Sequence, residues 1–175
     1  QALINLVLMP IEPFIATTYA EISRTISSRQ WLHTHRLLKR VSMISAGWTL
    51  TAGGLMSAFG WWLIPFLYKP LAAPAYPAML ILLAGYGFAN ILQWNRPLLL
   101  ALGRPGFPVL TAAIVGILEL ILLLWLVPGQ GYLAMAAILS GYLIVTIGIN
   151  VWKGLAELNA SARAEHLTPA TGDPS

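Results

Sequence analysis

Five long apolar runs, separated by turns rich in glycine and proline, leave this chain few ways to satisfy its backbone. A hydrocarbon layer about 30 Å thick is crossed by roughly 20 apolar residues in helix. Residues 1–21, 41–67, 76–101, 107–127 and 131–152 meet or approach that length. No run alternates polar with apolar residues, as the strands of a lipid-facing barrel do. Helices are then the remaining solution, because every N–H and C=O in lipid needs a partner within the protein. The sequence predicts an all-α, polytopic membrane helix bundle over residues 1–156. Composition agrees: 58% of residues are hydrophobic, 9% are charged, and mean hydropathy is +0.74. Soluble domains carry about 25% charged residues. There is no cysteine, which excludes disulfides and thiolate metal sites.

The most informative stretch is 86–108. It places Asn90, Gln93, Asn95 and Arg96 in a run otherwise too apolar for water, then turns at Gly103-Arg104-Pro105-Gly106 into a second apolar run carrying Glu119. Clustered Gly and Pro mark a tight turn, so a membrane hairpin is expected here, with polar groups on its protected side. Tyr86 shares the stripe of Asn90 at helical spacing.

Before the hairpin, the first run contains Pro10, Glu12 and Pro13, with Asn5, Glu12, Ala16 and Tyr19 on one stripe. A basic linker follows at about 22–40, with Arg24, Arg29, Arg36, Lys39 and Arg40. Ser27 with Gln30 has capping-box spacing, which places a helix start near Ser28. Trp31, Leu32 and Leu38 suit the headgroup region. The second run carries Gly47, Gly53, Gly54, Ser57 and Gly60, small residues that let helices approach closely, and ends on the interfacial pair Trp61-Trp62. Residues 157–175 read as a frayed helix end followed by a disordered tail.

Lysine and arginine fall nine to one across the five runs, with only Lys69 on the minor side. That bias places the linker, the Gly103 turn and the carboxy terminus in the cytoplasm. A net charge of +4 therefore records cytoplasmic loops, and no nucleic-acid partner is expected. The chain opens on Gln and shows no basic signal segment, so the reading is a carboxy-terminal part of a longer protein.

Nothing in the sequence has the spacing of an enzyme or cofactor site, and His33 and His35 point to different sides of a helix. Attention falls on the ionisable residues at membrane depth, Glu12, Arg96 and Glu119, because such groups are costly and line cavities or relays. Glu12 and Arg96 lie at matching depth and form a candidate ion pair; Glu119 lies deeper, near the level of Asn90. Two readings stand for each. Arg96 either lines a cavity or snorkels to the headgroups. Glu119 binds a cation, proton or polar substrate, or is a neutral, hydrogen-bonded acid. Asn90, Gln93 and Asn95 either hydrogen-bond between helices or meet sugar hydroxyls.

The hairpin NRPLLLALGRPGFP, the linker ending RLLKR and the segment IPFLYKPLAAPAYPAMLILL resemble polysaccharide-export flippases of the multidrug/oligosaccharidyl-lipid/polysaccharide exporter superfamily. Such proteins are often described as lipopolysaccharide, polysaccharide or O-antigen biosynthesis proteins. The resemblance covers nearly all of the chain except the tail. It implies the second lobe of an exporter with twelve or more helices, partnered by a first lobe. It also implies a lipid-linked glycan as substrate, carried by alternating access, with basic residues such as Arg96 against its pyrophosphate. A drug or cation antiporter of the same superfamily is the nearest alternative; a membrane glycosyltransferase or polymer ligase is a further one.

Overall fold

The computed structural model describes residues 12–68 and 75–167, and among these every element is an α-helix. Five are assigned: α1 (Glu12–Ser27), α2 (Trp31–Tyr68), α3 (Ala75–Ile91), α4 (Asn95–Ala101) and α5 (Gly106–Leu167). Two segments, Ala75–Ala101 and Gly106–Ala164, are long and apolar enough to cross a membrane.

The 62 residues of α5 are two helices joined at Gly131, whose φ of 69° and ψ of −154° are non-helical. Only glycine adopts that backbone readily. The chain reverses there: a Cβ on Gly116 would lie 3.9 Å from Tyr142, whereas 26 residues of straight helix would hold them about 39 Å apart. The outer faces of both arms are apolar, with Leu124 80% and Trp125 82% exposed. Water would not tolerate so continuous a surface; lipid or further helices would.

Helices α2 and α3 are antiparallel. Thr49 lies beside Gly87 and Asn90, Gly53 beside Leu83, and Gly60 beside Tyr76 and Met79. Tyr76 Oη donates to the carbonyl of Ser57 at 2.7 Å. The second arm of α5 runs parallel to α3, with Ser140 against Gly85 and Gly154 against Leu98 of α4. Ser140 Oγ donates to the Ile81 carbonyl at 2.8 Å, so the two backbones nearly touch. Glycine on α3 is what allows that approach.

The best-packed core lies at one end of the bundle. Ile22 of α1, Leu38 and Val41 of α2, Trp94, Leu98 of α4 and Leu158 of α5 form one cluster there. The helix end expected to fray from residue 157 is packed instead. Leu158 is 0% exposed, and α5 remains helical to Leu167 because Asn150, Gly154 and Leu158 recur at four-residue spacing on its buried face. Residues 168–175 lie outside the described residues.

The basic linker is also helical, bent at one elbow. No capping box forms at Ser27, because the Ser27 and Ser28 hydroxyls donate back to the Ser23 and Arg24 carbonyls. Instead Arg29 N–H donates to the Ile26 carbonyl and Gln30 N–H to Thr25, closing α1 in a Schellman motif. The same pair of bonds closes α4, from Gly103 to Leu100 and from Arg104 to Leu99. There the left-handed position holds Gly103, at φ 74°; in the elbow it holds Arg29, at φ 54°. A side chain in that conformation is strained. Arg29→Gly is therefore expected to stabilise the protein by about 1 kcal/mol, less whatever glycine gains in unfolded-state entropy. Thermal unfolding of the detergent-solubilised protein checks this; a lowered midpoint would contradict it.

Candidate functional site

The run expected as one span over 76–101 is broken at Leu92–Trp94. Pro97 explains the break. In a continuous helix its ring would collide with the Gln93 carbonyl, and it has no N–H to offer that oxygen. It is tolerated here because it falls in the first turn of α4. Asn95 caps the break from below, its backbone N–H and its Nδ2 both donating to the Leu92 carbonyl, at 3.0 and 2.7 Å.

Three donors at and just before the break face α2. Asn90 Nδ2 donates to Thr49 Oγ1 at 2.6 Å, Gln93 Nε2 to Ser45 Oγ at 3.2 Å, and Trp94 Nε1 to Ser42 Oγ at 2.6 Å. Ser42, Ser45 and Thr49 recur at spacings of three and four on one face of α2. The result is a polar ladder between two otherwise apolar helices. Several acceptors around it are buried and receive no hydrogen bond from any described protein group: Gln93 Oε1, Asn95 Oδ1, Thr146 Oγ1 and Asn150 Oδ1. Each unmet acceptor of this kind costs about 1–3 kcal/mol.

Beyond the Thr49 end of the ladder, an open groove of about 540 Å³ lies between α2 and α3, with Thr49, Gly53, Gly54, Ser57, Gly87 and Phe88 among its lining residues. Its walls are mostly carbon, since glycine on both helices leaves no side chain to fill the space. The arrangement joins an apolar slot to a polar end.

Of the residues singled out in the sequence, Asn90, Gln93 and Asn95 come together at the break. Tyr86 is half-buried, one turn before Asn90 on α3. Arg96 is not in this cluster: it is exposed, between the buried Asn95 and Pro97. The three-residue break resets the helix phase, so that Pro97, Leu98 and Leu99 face the core and Arg96 faces away from it. Glu12 opens α1, and its side chain lies outside the described residues, as does the ion pair expected between it and Arg96. Glu119 stands apart on the first arm of α5, half-buried one turn beyond Gly116, with no ion pair among the described residues. Among the described residues the paired carboxylate is Glu157, reached by Arg104 at 3.6 Å and Lys153 at 3.1 Å.

Ser42, Ser45, Thr49, Thr146 and Asn150 were not picked out from the sequence. The signal was present in the spacing of the three hydroxyls and in a lone asparagine inside an apolar run. Among the described residues no three histidine or acidic side chains gather, so the polar chemistry of the site belongs to amides and hydroxyls. No family model, curated protein or solved structure matches the chain.

Proposed function

We propose that this chain is a carrier lobe that helps move a lipid-linked oligosaccharide or polysaccharide precursor across the cytoplasmic membrane by alternating access. The observation carrying this reading is the broken helix beside an open apolar groove, the two meeting at Thr49, which accepts from Asn90. Discontinuous helices are how membrane carriers present polar groups at depth without exposing backbone to lipid. An amphiphile fits such a place: its hydrocarbon chain matches the glycine-lined slot, and its sugar hydroxyls would meet the end where Thr49 accepts from Asn90. Five crossings, with the carboxy terminus on the cytoplasmic side, accommodate α1, α2, the α3–α4 pair and the two arms of α5. Arg96, facing outward on α4, would meet the substrate's pyrophosphate only if a first lobe closed over that side.

The test is a leaflet-resolved assay of labelled lipid-linked sugar, with the full protein in vesicles. Gln93→Leu and Asn90→Leu should each slow translocation about tenfold or more at unchanged protein level, since each removes a hydrogen bond to a buried group. Arg96→Ala should slow it as well. Normal translocation by the two amide variants would remove the broken helix from the mechanism.

One observation favours the antiporter reading: Glu119, half-buried in an apolar arm, is placed where carriers keep a proton- or ion-binding acid. Glu119→Gln separates the two. An antiporter would lose its ion dependence with that change, whereas glycan translocation without ion coupling would continue.

A further inference from the structure

The elbow between α1 and α2 carries a second concave surface. A cleft of about 590 Å³ opens there, with Arg29, Gln30, His33, His35, Arg36 and Asn159 among its lining residues. His35 Nε2 and Asn159 Oδ1, hydrogen-bonded at 3.1 Å, tie its α2 wall to its α5 wall. Among the described residues no acidic side chain lines it, and neither Arg29 nor Arg36 is in an ion pair. The first turn of α2 likewise has no acid, so the amino-terminal end of that helix adds its own positive potential. Two guanidinium groups thus share one hollow without a counter-ion, and Arg29 holds strained backbone to be there.

We propose that this cleft binds the phosphate of an anionic phospholipid headgroup from the adjoining leaflet. A lipid fits better than a free anion because the same cleft is lined by Trp31 and by Leu32, which is 76% exposed. Cations beside an outward apolar edge match a headgroup phosphate joined to its acyl chains. The site is separate from the groove between α2 and α3. It requires only that the elbow rest at a membrane surface, so its failure leaves the translocation assay unaffected.

Native mass spectrometry of the full chain in detergent, titrated with phosphatidylglycerol or phosphatidylcholine, tests this. The expected result is one saturable phosphatidylglycerol adduct and much weaker phosphatidylcholine binding. Combining Arg29→Gly with Arg36→Gln removes two charges while relaxing the elbow, and should weaken that adduct ~30-fold. The pair Lys39→Gln and Arg40→Gln, exposed further along α2, should change it by no more than about threefold. Equal binding of the two lipids would overturn the proposal, and so would equal losses from the two pairs of substitutions. Displacement of the lipid by inorganic phosphate at matching affinity would overturn it too, marking a free-anion site.

Discussion

Replacing Gly85 with alanine is expected to destabilise the protein by about 2 kcal/mol, while the same substitution at Gly47 should leave it unchanged or slightly more stable. A Cβ at Gly85 would lie 2.7 Å from the Cα of Ser140, a backbone atom that cannot swing away. Accommodating it requires α3 and the second arm of α5 to separate. That movement also stretches the 2.8 Å bond from Ser140 Oγ to the Ile81 carbonyl. At Gly47 nothing lies within 4 Å, so alanine there gains only helix propensity. Thermal or denaturant unfolding of both variants in one detergent gives the comparison directly. Equal responses at the two positions would mean that α3 and α5 do not approach as described.

The second large effect is at Trp94. Truncation to alanine costs about 3–5 kcal/mol, because the indole is 4% exposed and sits in the cluster joining α1, α2, α4 and α5. Trp94→Phe keeps much of the volume and costs about 1 kcal/mol more than the lost packing alone, through the missing bond to Ser42. Ser42→Ala should cost a similar amount in the wild-type background and almost nothing once Trp94 is phenylalanine, which a double-mutant cycle measures. Hydrogen exchange adds a spatial readout: amides of 92–101 should lose protection first in Trp94→Ala, since the break is held by this anchor. A loss of under 1 kcal/mol in Trp94→Ala would contradict the assignment of Trp94 to the core.

The Gly103 turn and the long apolar helices were legible from the sequence because local chemistry decides them. An apolar backbone satisfies itself only as helix, and a left-handed cap position selects glycine. The elbow shows the limit of that logic. Ser27 and Gln30 have capping-box spacing, yet α1 closes through Arg29 and α2 starts at Trp31, three residues beyond Ser28, where Ile22 and Leu38 pack in one cluster. The packing of 157–167 was out of reach for a related reason: the stretch looks polar in composition, but Leu158 joins the cluster of Trp94 and Leu98.

The candidate site divides in the same way. That Asn90, Gln93 and Asn95 avoid lipid followed from the cost of leaving amides in hydrocarbon. Which hydroxyls receive them did not follow, because Ser42, Ser45 and Thr49 lie 41 to 52 residues away in sequence. The direction of Arg96 was likewise out of reach. It depends on a three-residue break whose phase shift is set by Pro97 and by where Trp94 and Leu98 find room. Sequence alone, then, determined the helical class and the Gly103 turn, since these arise from backbone satisfaction within a few residues. Tertiary structure decided the facing of each polar side chain and the partners it meets, since these are fixed by contacts between segments far apart along the chain.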